Sequence, residues 1–286
     1  MDVRKMKTGS HLIMGKGLST CLWLQFILTT AAVMSSAGII LDKCMAPDPC
    51  NCTVDHILCH SSHLTEVPTF TPTTTHTDNL TILLPANDLT VLPANAFRHI
   101  NTTCAKRITI LFQSNKLYKM DIDAFAGIEN AIVDLQLQDN RFTELPAALT
   151  KLTRLERLHM QANPITNIDP LVTTLMSPSL KHFAVFAVNL TSWPYGVNNL
   201  RHLSYLGIDN MPFHRLPLDS FNGFGELTEL RISGAFTGGI PSSVCFLRNL
   251  KVLSVNRVQY QSQQQLIQLN KKCRELLSDV AAFINL

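Results

Sequence analysis

From about residue 79 the chain repeats itself every 23 to 28 residues, which restricts it to folds in which one short unit is stacked many times. The clearest copies are AIVDLQLQDNRFTELPAALTKL from Ala131, RLERLHMQANPITNIDPL from Arg154 and HLSYLGIDNMPFHRLPLDSFNGF from His202. Aligned on one another, they gather Ile82, Ile110, Leu135, Leu158, Phe183, Leu206, Leu230 and Leu253 into one apolar column. Two residues later, Leu84, Phe112, Leu137, Met160, Val185, Ile208, Ile232 and Val255 form a second. A spacing of two places both columns on the same side of a strand. Eight units over residues 79–260 therefore supply one short strand each, stacked in parallel.

Five residues after the first column stand Asn87, Asn115, Asn140 and Asn163 in the first four units, and Val188, Met211, Ala235 and Val258 in the last four. An asparagine amide can satisfy backbone groups where the chain leaves a buried strand. Asn189 and Asn210 lie one residue from the column and offer a shifted turn as a substitute. Five of the turns are followed by an apolar residue and proline, at Leu92-Pro93, Leu145-Pro146, Trp193-Pro194, Leu216-Pro217 and Ile240-Pro241, and the return segments carry apolar residues such as Phe97, Phe125, Leu149 and Phe221. The whole pattern resembles the leucine-rich-repeat template LxxLxLxxNxLxxLP. That resemblance implies an α/β leucine-rich-repeat solenoid, curved, with a parallel sheet on its concave face and short helices or irregular turns on the convex side.

Solenoid ends expose core and need caps. Cys44, Cys50, Cys52 and Cys59 are spaced C-x5-C-x-C-x6-C and followed by HSSHLTEVPTF. Spacing alone leaves three disulfide connectivities open. The cluster resembles the cysteine-rich amino-terminal cap of extracellular leucine-rich-repeat proteins, and by that resemblance the pairs are Cys44 with Cys52 and Cys50 with Cys59. Zinc held by Cys50, Cys52, His56, Cys59, His60 and His63 is the competing chemistry, but one residue between Cys50 and Cys52 is short of metal-ligand spacing, and the expected compartment is oxidising. At the other end Leu266, Leu269, Cys273, Leu276, Leu277, Val280 and Phe283 recur at three- and four-residue intervals, predicting an amphipathic helix over 263–283. It is expected to cap the solenoid within 261–286, tethered by a Cys245–Cys273 bridge; a partner-binding helix is the alternative.

The first 37 residues carry Arg4, Lys5, Lys7 and Lys16 ahead of an apolar stretch from Leu18 to Met34, then Ser35, Ser36 and Ala37. This is the pattern of a secretory signal peptide cut after Ala37. A membrane anchor is the alternative, but the stretch is interrupted by Ser19, Thr20, Gln25, Thr29 and Thr30 and falls short of the roughly 20 apolar residues a span needs. Removing the segment cancels the formal charge of +3 and leaves basic and acidic residues balanced, so nucleic acid is not an expected partner and membrane insertion is not expected after cleavage. Sequons at Asn51, Asn79, Asn101 and Asn189 are expected glycan acceptors. The cap then occupies 38–78. Cys104, the odd cysteine of the processed chain, offers an intermolecular disulfide and with it an oligomer.

With leucines, turns and caps accounted for, no nucleophile elbow, phosphate-binding loop, metalloprotease helix or dinucleotide fingerprint is left in the sequence, and no catalytic residue, metal site or cofactor is expected. What remains free to vary is the outward face of the strands. One column there reads Asp134, Arg157, His182, Tyr205 and Glu229 in the middle repeats, and another Gln136, His159, Ala184, Gly207 and Arg231. Neighbours in a column stand about 4.8 Å apart. With Phe186 and Asp209 these side chains form the candidate ligand face, in which aromatic and arginine residues are the expected anchors and Ala184 and Gly207 leave a hollow. A solvated face laced with cross-strand ion pairs is the bland alternative. The resemblance implies a secreted extracellular scaffold that binds a protein ligand. An accessory subunit or inhibitor of a secreted enzyme, and the ectodomain of a membrane receptor, are further roles the scaffold serves.

Overall fold

In a computed structural model of the chain, the described residues are 46–256 apart from 54, 71–77, 101–104, 235, 236 and 238, together with the backbone of 283–285. Strand β1 (Asn51–Cys52) pairs antiparallel with β2 (His56–Leu58), and every further ladder of the large sheet is parallel. The repeat strands are β3 (Asn79–Leu83), β5 (Arg107–Leu111), β7 (Ile132–Gln136), β8 (Arg157–Met160), β9 (His182–Phe186), β10 (Tyr205–Met211), β11 (Glu229–Gly234) and β12 (Val252–Asn256). They stack in chain order, with β4 (Val91–Leu92) and β6 (Lys119–Met120) forming a separate two-stranded ladder on the return path. The first apolar column runs in unbroken register from Ile57 and Ile82 to Leu230 and Leu253, all buried. One face of the sheet is thus wholly committed to the core.

The return segments pack against that face as single turns. Three-residue-pitch helices follow proline at Ala147–Lys151, Tyr195–Asn199 and Ser242–Phe246. The seven-residue helix α1 (Pro170–Met176) takes Pro170 in its first turn, where a missing N–H costs nothing, and Asp169 caps it by accepting from Leu171 N at 2.7 Å. Behind the first repeats Phe70, Phe97 and Phe125 stack in series with ring centroids 5.7 Å apart at each step.

The turns out of the first four repeat strands are closed by one device. Ala86, Ser114, Asp139 and Ala162 adopt left-handed backbone, and the asparagine that follows each points inward. Asn140 donates to Phe112 O of the preceding repeat at 3.0 Å and to Leu137 O of its own at 3.2 Å, while its Oδ1 accepts from Leu117 N at 2.9 Å. Asn87, Asn115 and Asn163 repeat the arrangement, so each amide satisfies backbone groups of two successive repeats that no water could reach.

Past Asn163 the ladder ends. Ile165 N then bonds to the Asn163 carbonyl within its own turn, at 2.8 Å. In the fifth repeat Val188 and Asn189 are exposed, and the turn is closed by backbone bonds from Ala187 N to Asp209 O and from Leu190 N to Ala187 O. In the sixth Met211 is buried in place of the asparagine, Asn210 takes the left-handed conformation, and its N–H donates to Ser233 Oγ, which itself donates to Asp209 Oδ1. A hydroxyl relay therefore stands where the amide link is missing.

At the amino-terminal end Cys50 is bonded to Cys59, which removes both from any zinc site; Cys52 and Cys245 are disulfide-bonded as well. At the carboxyl-terminal end the expected helix over 263–283 lies outside the described residues except at its last position. Residues Phe283–Asn285 form strand β13, parallel to β12 with Phe283 beside Val252, rather than the last turn of a capping helix. The physical reason is the free edge of β12, whose backbone groups an apolar strand satisfies directly. The rest of 261–286 with Cys273, the leader segment 1–37, Cys44, Asn101 and Cys104 lie outside the described residues.

Two substitutions test this architecture. Asn140→Ala strands buried backbone groups of two repeats at about 1–3 kcal/mol each, so denaturant unfolding is expected to show a loss of roughly 3 kcal/mol or more, against little change for Val188→Asn on the exposed turn. Cys50→Ser opens the cap, and a loss of about 2–5 kcal/mol with impaired export is expected; normal yield and melting would contradict a stabilising cap.

Candidate functional site

The outward face of strands β7 to β11 is built from two columns whose register is now explicit. Asp134, Arg157, His182, Tyr205 and Glu229 pair in sequence across the strands, as do Gln136, His159, Ala184, Gly207 and Arg231. Phe186 pairs with Asp209. All ten candidate residues thus share one face, and all but Asp134 reach solvent at least in part.

Planar groups from four adjacent strands form a continuous stack. The His159 and His182 rings lie 4.6 Å apart at 39°, the His182 and Tyr205 rings 3.9 Å apart and parallel within 3°, and the Arg231 guanidinium carbon 5.9 Å from the Tyr205 ring centre. Tyr205 also bends along its own strand. A Cβ placed on Gly207 would lie 3.0 Å from Tyr205 Oη and 3.2 Å from its Cε1. The hollow expected at Gly207 is therefore filled by the tyrosine ring, because glycine leaves bare backbone for an aromatic side chain to cover.

Charge at the two ends of the stack is neutralised internally. Arg157 Nε donates to Asp134 Oδ2 at 2.8 Å, and Arg231 Nε donates to Glu229 Oε1 at 2.6 Å. Asp134 is 7% exposed beside a bulge in β7, where Ile108 pairs with Ile132 but Thr109 with Asp134, so Val133 is the extra residue while Asp134 keeps its place on the outward face under Arg157. The Asp134 Oδ1 atom is inaccessible and has no hydrogen-bond partner.

A further ion pair was not foreseen from the columns. Arg107 on β5 reaches over β7 to make a bidentate pair with Glu156, at 3.1 and 3.0 Å, and holds that carboxyl below its ordinary range. Including the charged residues at the leading ends of the strands would have found it.

Burial keeps the histidines uncharged. His159 is pushed below its ordinary value by desolvation, and His182 is lowered to about 4 by desolvation and then by the neighbouring His159. The Tyr205 hydroxyl is pushed up, first by burial. At neutral pH the stack is a row of neutral rings between two self-paired charges. Among the described residues no group of three or more His, Cys, Asp or Glu side chains is gathered to hold a metal, and no helix is long and apolar enough to cross a membrane.

The parallel repeat sheet and its asparagine ladder give this chain the leucine-rich-repeat fold, with an amino-terminal end pinned by the Cys50–Cys59 disulfide. It is 28% identical to osteomodulin of Bos taurus over 199 residues, which cover 61% of this chain and 46% of osteomodulin. It is 29% identical to osteomodulin of Rattus norvegicus over 192 residues, 58% of this chain and 44% of that one. The chain spans about half the length of the curated relatives it matches. Human 5T4 (Wnt-activated inhibitory factor 1, trophoblast glycoprotein) shares the fold, with a TM-score of 0.53 at 20% identity over 86% of this chain and 82% of that one. No family model matches the chain.

The histidine environment has a sign that can be checked. A His182 lowered to about 4 in the folded protein resists a proton that the unfolded chain accepts near 6.5, so stability is expected to fall progressively as pH drops from about 6.5 to about 4, then level off. Chemical denaturation across that window should show the slope in the wild type and a flatter profile in His182→Phe.

Proposed function

We propose that this chain is a secreted, non-catalytic scaffold that binds a protein ligand through the outward sheet face of repeats three to seven. The observation that carries the reading is the four-strand stack of His159, His182, Tyr205 and Arg231, three half-buried rings and an exposed guanidinium standing on the sheet with the surrounding charges already paired. Rigid aromatic and arginine side chains give large contact area with little entropy to lose, and they dominate the energetics of protein interfaces. Phe186, Asp209, Gln136, Asp134 and Glu229 complete the face around them. Self-neutralised charge at its margins favours a partner whose contact surface is uncharged, with affinity only weakly dependent on salt.

In this reading residues 1–37 are a cleaved leader, 38–78 the disulfide cap and 79–260 the binding solenoid. Asn51, Asn79 and Asn189 are exposed and, with Asn101, would carry glycans. Secretion and glycosylation agree with the match to osteomodulin and with the fold shared with 5T4, a protein named as a glycoprotein. Catalysis is no part of the proposal, since the titratable groups of the face are spent on ion pairs and ring stacking.

Proximity labelling with the secreted protein as bait, read by mass spectrometry, tests the assignment. A partner present with the wild type and lost with the Tyr205→Ala/Phe186→Ala double variant is the expected result. An unchanged partner set, with the variant folded normally by circular dichroism, would remove the sheet face from consideration.

A further inference from the structure

The stack contains a tension that its neutral form leaves unresolved. Asp134 is nearly enclosed, yet only one of its carboxylate oxygens is bonded, to Arg157; the other has neither a donor nor access to water. An enclosed carboxylate oxygen without a donor is costly and attracts any positive charge within reach. His159 stands two residues beyond Arg157 on the adjacent strand, so it is the diagonal neighbour of Asp134, within reach of a long side chain. At present that ring is turned the other way, against His182.

We propose that His159 is a proton-operated two-position side chain: uncharged it stacks on His182, and on taking a proton from solvent it leaves the stack for the unpartnered oxygen of Asp134. The groups around it favour this order of events. His159 faces Asp134 on β7, which attracts its proton, Arg157 on its own strand, which repels it, and the His182 ring on β9. His182 faces His159 and Arg157 on β8, both opposing its charge, with Tyr205 on β10 and the more distant Asp134 and Glu229. The first proton therefore goes to His159, and the cation so formed gains the unpartnered carboxylate oxygen of Asp134 by turning away from His182.

The consequence rests on the docking role proposed for this face. Withdrawal of His159 breaks the row of rings at its β8 end, so acid would dismantle the surface a partner uses, while the sheet beneath stays paired.

Solution NMR of the partner-free, full-length secreted protein, with 13C at the histidine Cε1 and tyrosine ring positions, tests the switch from neutral pH to about pH 4. His159 is expected to titrate below the ordinary histidine range, with the His182 and Tyr205 ring signals, shielded by their stacked neighbours, moving in the same step. Asp134→Asn is expected to shift that midpoint to lower pH, and His159→Gln to abolish the step while leaving the later titration of His182. A His159 transition that leaves the His182 and Tyr205 signals unmoved, or whose midpoint is the same in Asp134→Asn, overturns the proposal. If Asp134→Asn does not fold, the wild-type and His159→Gln titrations still decide it. No ligand is present in these measurements, so their failure leaves the docking role standing, and loss of the docking role leaves the titration intact.

Discussion

Stacking strands in parallel buries the turns that lead out of them, and every buried N–H and C=O must then find a partner without water. In the first four repeats one side chain meets that demand: an inward asparagine whose amide bridges its own turn and the preceding one. The rest of the architecture follows from the requirement. Left-handed residues before each asparagine aim the amide inward, the apolar columns stay in register because the turns are of one shape, and the outward face is left free of structural duties.

The recurrence of Asn87, Asn115, Asn140 and Asn163 made the amino-terminal half legible before any coordinates, since its periodicity and its chemistry point to the same fold. The carboxyl-terminal half was less so. Replacing the asparagine by Val188 or Met211 signals only that the usual turn is absent; the relay of Asn210, Ser233 and Asp209 depends on a bulge near the end of β10 that no periodicity encodes. The three-four spacing of apolar residues predicts a helix over residues that lie outside the described ones except for Phe283, which begins a strand paired with β12.

The candidate face divides along the same line. Which residues share it was readable, because a strand's two-residue period is rigid. How they touch was not. Asp134 is enclosed beside an extra residue in β7 and under Arg157, and Arg107 finds Glu156 by passing over the strand between them. The covering of Gly207 by Tyr205 inverts the expectation that two small residues make a cavity. In each case a single backbone irregularity or missing side chain redirects a neighbour by a few ångströms, which changes contacts while leaving the columns intact.

The end of the asparagine ladder at Asn163 changes how successive turns are joined. Repeats up to β8 are tied to their neighbours by turn asparagines that span two turns, whereas beyond them the described side-chain links between repeats include the Ser233 relay and the return-path amides of Asn198, which donates to Ser220 O and Asn222 O, and Asn249, which donates to Gly225 O. In a solenoid, where each unit senses only those beside it, such unevenness is not averaged away. The row of rings from His159 to Arg231 crosses that change of turn: its first member stands on β8, whose turn carries the last asparagine of the ladder, and the others stand on strands beyond it.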